Sequence, residues 1–197
     1  MNTYALIGDS HSVVYFPLLQ DKIEEQGDKV VSIFSNNGWT VKKYLDNNLE
    51  GELRRTKPNS LVISLGGNNG LLTPAYGAIV DSLLTIADNL GIKNIYWVSP
   101  AYSLNQEVNA RHHWTSEYLK ANLPKKVRFI DIRPITQTGH KPDGVHFTSN
   151  KYREWSDFVF KSLKQELAIN QIPSWVWWFG GSTITLGIMT FLLRKRR

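Results

Sequence analysis

The 197-residue sequence has no cysteine. That excludes disulfide staples, thiolate-bound zinc, iron–sulfur clusters and a thiol nucleophile. A chain of this length does not need such staples, because one domain of ordinary size can bury a sufficient core. There is no G-x-G-x-x-G fingerprint, and no Lys-Ser/Thr pair follows the glycine-rich stretch at residues 66–70, so no nucleotide cofactor is expected. Acidic residues are missing after Glu166, and four of the 23 Lys and Arg form the extreme C-terminus, Arg194, Lys195, Arg196 and Arg197. Residues 1–193 therefore hold 19 basic against 17 acidic side chains, a net +2, where the whole chain has +6. The positive charge belongs largely to a tail and gives no footing for nucleic-acid binding, which is not expected. A basic n-region is also missing from the N-terminus, where Tyr4–Ile7 runs straight into Gly8-Asp9-Ser10, so no N-terminal targeting signal is expected. With 42% hydrophobic and 12% aromatic residues, the chain is too apolar for a disordered one.

The main organisational break falls at Gln171. Residues 172–193 are 22 in a row without a charge. As a helix they would extend roughly 33 Å, enough for a hydrocarbon core of about 30 Å. Trp175, Trp177 and Trp178 crowd one end, where indoles favour the lipid–water interface, and the basic cluster closes the other. Gly180, Gly181, Ser182, Thr183 and Thr185 make the segment only moderately hydrophobic, which leaves a buried C-terminal helix as the competing reading. The expected organisation is a catalytic domain at 1–171, a transmembrane helix at 172–193 and a basic tail at 194–197, with 172–197 engaging a lipid bilayer. The positive-inside bias places the C-terminus on the cytoplasmic side, or inside a membrane-bearing particle, and the domain on the extracytoplasmic face. The missing N-terminal signal opposes that orientation.

Within residues 1–171, strand-like runs alternate with helical patterns. Strands are expected at Tyr4–Ile7, Lys29–Phe34, Ser60–Leu65, Asn94–Ser99 and Val127–Ile130. Helices are expected at Ser12–Gln26, with Pro17 a disturbance inside it, and at Val41–Arg55, Tyr76–Leu90, Asn105–Ala121 and Asn150–Leu167. This alternation predicts βαβ units, a five-stranded parallel sheet and a three-layer α/β/α sandwich. Ligand sites in such sheets lie beyond the C-terminal ends of the strands.

Four features fall at those places. Gly8-Asp9-Ser10 follows the first strand and opens a helix, where backbone N–H groups and the helix dipole favour negative charge. Gly38, in Asn36-Asn37-Gly38, follows the second strand and could offer its N–H at the same edge. Asn68, in Gly66-Gly67-Asn68-Asn69, follows the third strand and could place an amide donor over the crevice. Asp143-Gly144-Val145-His146 precedes the last helix, and a spacing of three lets the carboxylate reach back to Nδ1–H and leave Nε2 free as a base. Singly, each has a plainer explanation: N-capping, a turn glycine, loop chemistry and an exposed loop histidine. Together they supply a nucleophile, Ser10, a base, His146, its orienter, Asp143, and three oxyanion donors, Ser10, Gly38 and Asn68.

This set resembles the SGNH hydrolase family, the GDSL-type esterases and lipases. The resemblance spans residues 4 to about 167, with the blocks in the family's order, and the four residues of the name correspond to Ser10, Gly38, Asn68 and His146. It implies a flavodoxin-like sheet and acyl-ester hydrolysis without metal or other cofactor. Two positions depart from the pattern. Asn69 stands where the third block often ends in Asp, and His11 follows Ser10 where many members have another residue. Both are candidates for weak substrate contact, with a surface position at the helix start the plainer reading of His11. His112, His113 and His140 lack a convergent carboxylate pattern, so surface or rim roles are expected and a metal site is not.

The expected activity is ester hydrolysis by a Ser-His-Asp triad. Short loops favour small acyl groups, such as acetyl esters on a glycan or cell-envelope polymer. A lysophospholipase or thioesterase acting at the membrane is the second enzymatic reading. A non-catalytic, membrane-anchored structural or interaction protein is the alternative outside enzymes.

Overall fold

The computed structural model describes residues 1–69 and 74–170. Among these, five strands form one parallel sheet: β1 (Thr3–Gly8), β2 (Lys29–Ser35), β3 (Ser60–Ser64), β4 (Asn94–Val98) and β5 (Val127–Ile130), in the order β2-β1-β3-β4-β5. The helices are α1 (Ser10–Glu24), α2 (Val41–Asp46), α3 (Leu49–Thr56), α4 (Pro74–Asn89), α5 (Gln106–Asn122) and α6 (Ser149–Asn170), with a 3₁₀ turn at Arg133–Thr136. Met1–Lys161 make one compact unit, and a second, Ser162–Arg197, starts within α6.

The central strands read as continuous apolar runs because both faces of a parallel sheet are covered. Tyr4 to Ile7 and Leu61 to Ile63 are all buried. Alternate residues serve opposite layers. Ala5, Ile7, Leu61, Ile63 and Trp97 join one core with residues of α2 to α5. On the other face α1 and α6 meet directly: the Tyr15 and Trp155 rings stack at 4.8 Å, and Lys22 pairs with Asp157 at 2.7 Å. Pro17 is carried inside α1 on its exposed side, where Val13, whose carbonyl loses its usual partner, is also exposed.

The expected alternation is present, and the expected single helix at Val41–Arg55 is corrected. It divides into α2 and α3 because Asn48 takes a left-handed conformation, φ 60°, between them. Asparagine tolerates that region better than most residues. α1 also begins two residues earlier than expected, on Ser10 itself, because Asp9 caps it by accepting from His11 N–H. Residues 172–193, expected to form a transmembrane helix, lie outside the described residues. Among the described residues, no helix is long and apolar enough to cross a membrane.

The α1–α6 contact predicts a measurable cost. Trp155 is fully buried against Tyr15 and Tyr152. Trp155→Ala should destabilise the domain by about 3–5 kcal/mol, read as a lowered midpoint in chemical denaturation, while Trp155→Phe should cost clearly less.

Candidate active site

Ser10 is the first residue of α1 and lies at the C-terminal edge of β1. The strand passes into the helix without a loop, which demands a close approach. A Cβ on Gly8 would stand 1.9 Å from Ser12 Oγ, so only glycine fits there. The end of β1 is pinned from the β2 side by Tyr44, whose hydroxyl lies 2.7 Å from the Gly8 carbonyl and 2.8 Å from that of Phe34.

His146 and Asp143 come from the loop before α6. Asp143 Oδ1 accepts from the backbone N–H groups of Val145 and His146, each at 2.9 Å, and Oδ2 accepts from His146 Nδ1 at 2.8 Å. The turn needs Gly144 at φ +68°, and a Cβ there would press on Leu104 at 3.2 Å. The Gly144 carbonyl accepts from Leu104 N–H at 2.8 Å and from Ser103 Oγ at 2.9 Å, which ties this loop to the one after β4. With Nδ1–H given to Asp143, His146 Nε2 is free to accept, and it stands 3.1 Å from Ser10 Oγ. Hydrogen bonds from the backbone, first that of Val145, hold the Asp143 carboxyl down at about pH 2, so it stays ionised across the ordinary pH range. Its stabilising contribution is lost only as the pH falls from 3.8 toward 2.

The other expected donors lie on neighbouring loops. Gly38 is in the exposed turn after β2, with φ +71°. Asn68 is exposed in the loop after β3, and its Nδ2 donates to the Trp39 carbonyl at 3.3 Å. That bond brings Asn68 beside the residue following Gly38, and one amide hydrogen remains to be used elsewhere.

Several expectations are corrected. Asn69, a candidate for substrate contact, is only 9% exposed and turns inward. His11, expected on the surface, is 6% exposed, with Nδ1 3.0 Å from the Tyr152 hydroxyl. Burial pushes its pKa down to about 3. His112, also expected at the surface or rim, is buried and donates Nδ1–H to the Ala101 carbonyl at 2.7 Å. His140 puts Nε2 3.1 Å from the Tyr102 carbonyl, and His113 is exposed as expected. Asp9 does cap α1, as its plainer reading has it, but it is 5% exposed, and burial raises its carboxyl to about 7. Tyr152, which reaches both His11 and the loop carrying His146, was not singled out in the sequence. Its partner His11 is 141 residues away, so no local pattern could have marked it.

A serine hydroxyl, an imidazole and a carboxylate joined in this order form the arrangement of a serine hydrolase. No family model and no curated protein matches the sequence. Solved structures do. The psychrotrophic esterase EstA from Pseudoalteromonas sp. superposes with a TM-score of 0.65 at 18% identity, covering 85% of this chain and 100% of that one. A family 3 carbohydrate esterase from Clostridium thermocellum gives 0.64 at 16% identity, covering 85% and 98%. The C-terminal catalytic domain of peptidoglycan O-acetyltransferase A from Streptococcus pneumoniae gives 0.60 at 20%, covering 83% and 93%. The fold is that of the SGNH/GDSL hydrolases.

The burial of His11 has a pH signature. In the unfolded chain its imidazole takes up a proton near pH 6.5, whereas the folded form resists until about 3. The unfolded state binds more protons across that window, so acidification removes stability. His11→Asn lacks this contribution. The stability of the parent relative to His11→Asn should therefore fall steadily from pH 6.5 toward 3, measured by denaturant unfolding at a series of pH values, and stay constant above pH 7.

Proposed function

We propose that the chain is a serine ester hydrolase in which Ser10 is the nucleophile, His146 the general base and acid, and Asp143 the orienting carboxylate. The observation that carries this reading is the continuous chain Ser10 Oγ to His146 Nε2 at 3.1 Å and His146 Nδ1 to Asp143 Oδ2 at 2.8 Å. His146 takes the Ser10 proton as Oγ attacks an ester carbonyl, and Asp143 stabilises the imidazolium. The backbone N–H groups of Ser10 and Gly38 and the free Asn68 amide hydrogen receive the oxyanion. Each such donor is worth roughly 3–4 kcal/mol in known cases. His146 then protonates the leaving alcohol, and water, activated by the same base, releases the acyl group.

For the substrate we infer small acyl esters, acetyl foremost, on a glycan or cell-envelope polymer. The half-exposed Asp143–His146 pair, at 48% and 37%, supports access for an ester on a bulky chain. The carbohydrate esterase and the peptidoglycan O-acetyltransferase among the structural neighbours point the same way. Residues 172–193 would hold the domain at a membrane, with the domain on the extracytoplasmic face. The uncharged run, its tryptophans and the basic cluster after it support this. Were the domain cytosolic, lysophospholipids or thioesters would become the favoured substrates.

Assayed on a panel of short-chain, glycan-acetyl and lysophospholipid esters, the parent should turn over acetyl esters best. Ser10→Ala and His146→Ala should each lower the rate by on the order of 10³-fold or more, with the double variant little worse, since the two act as one unit. Asp143→Asn should cost less. Equal rates for Ser10→Ala and the parent would remove the mechanism. The anchor is checked separately: the full chain should resist alkaline extraction from membranes, and protease added outside sealed cells or particles should digest the domain.

A further inference from the structure

Asp143 is exposed, whereas His146 is only partly so and turns one side of its imidazole to the interior. Two backbone N–H groups fix the Asp143 carboxylate, which holds the imidazole at Nδ1 alone. The remaining packing that can hold the ring over Ser10 lies on the buried side of the imidazole. His11 occupies that side. Its ring lies 5.1 Å from that of His146, 5.7 Å from Phe147 and 5.4 Å from Trp155, centroid to centroid. It directly follows Ser10, and its own N–H is fixed by Asp9 Oδ1 at 3.1 Å.

Tyr152 completes the connection. Its hydroxyl lies 3.0 Å from His11 Nδ1 and, at a long 3.5 Å, in front of the Phe147 N–H. The Phe147 N–H can only donate, so the hydroxyl oxygen accepts there, and toward His11 Nδ1 the hydroxyl donates or accepts according to the imidazole tautomer. The residue after the nucleophile and the residue after the base are thus joined through one phenol. We infer that the His11–Tyr152 pair is a buried strut that sets the separation and orientation of Ser10 and His146, with both members acting as positioning residues. The inference rests on the hydrolase reading for its effect on turnover and on geometry alone for the strut itself.

His11 is neutral within the strut. Burial keeps it neutral, and the facing groups do not reverse that. His146 and His140, from the loop before α6, and His112, from α5, disfavour a second positive charge, while Asp143 favours one and is outweighed. Asp9, in the turn before α1, is itself held toward its neutral form by burial. A leucine at position 11 would fill similar space but leave the Tyr152 hydroxyl and the Phe147 N–H without a fixed link.

The experiment uses the full chain with a short-chain ester. The parent is compared with Tyr152→Phe, His11→Leu, the double variant and His11→Asn, whose side-chain oxygen falls near the place of Nδ1. Tyr152→Phe and His11→Leu should each lower kcat by about 10–100-fold with KM within about twofold. The double variant should be no worse than the poorer single one, and His11→Asn should recover a substantial part of the loss. Tyr152→Phe removes a single oxygen, so it reads the strut even if His11→Leu fails to fold. Folded variants with kcat within twofold of the parent, or losses that add in the double variant, would overturn the strut. A parent without turnover would instead count against the hydrolase reading. In that case crystal structures decide the strut: Tyr152→Phe should lengthen the 3.1 Å Ser10 Oγ to His146 Nε2 contact beyond hydrogen-bonding distance, and an unchanged separation would overturn it.

Discussion

The site depends on a backbone constraint at the end of β1. The strand turns into α1 with only Asp9 between them, and Ser10 therefore stands at the helix start with its hydroxyl beyond the sheet edge. The turn is possible because Gly8 has no side chain to collide with Ser12. Every other component is brought to that point by parallel topology. Strands running in one direction end on one edge, so the loops after β2 and β3 and the segment before α6 converge there. The sheet order puts β2 and β3 on either side of β1, Asn68 meets Trp39 beside Gly38, and His146 meets Ser10.

Two carboxylates at this edge are driven in opposite directions by their surroundings. Asp143 is exposed and accepts three hydrogen bonds, which favour its ionised form. Asp9 is buried below the nucleophile, where desolvation favours the neutral acid despite the bond from His11 N–H. The first suits a group that must remain a permanent anion beside an imidazole. The second fits a structural acceptor at a helix start. Their separation in behaviour follows from hydrogen bonding at Asp143 and burial at Asp9, and needs no difference in residue type.

The alternation of strand and helix was legible in the sequence because each element is longer than the error in placing its ends. So was the Ser10, Asp143 and His146 set: Asp143 and His146 interact across three residues, and Ser10 follows a recognisable buried strand. What was not legible depended on distant partners. His11 reads as a surface residue beside Ser10, and only the packing of α6 over α1, through Tyr152 and Trp155, makes it part of the interior. His112 is turned inward by the Ala101 carbonyl, which belongs to the loop after β4. The division of Val41–Arg55 hinged on one backbone conformation at Asn48, which helical periodicity does not encode. Asn69 and Asn68 are adjacent and chemically identical, yet the chain direction after β3 leaves one buried and the other exposed.

Covalent capture reads out directly whether the Ser10 hydroxyl is the activated nucleophile proposed above. The full chain is treated with a fluorophosphonate, and the adduct is located by peptide mass spectrometry. One adduct per chain is expected, on Ser10, absent in Ser10→Ala and formed far more slowly in His146→Ala. A protein that stays unmodified under conditions that label a known serine hydrolase, or one labelled only at another residue, would contradict it.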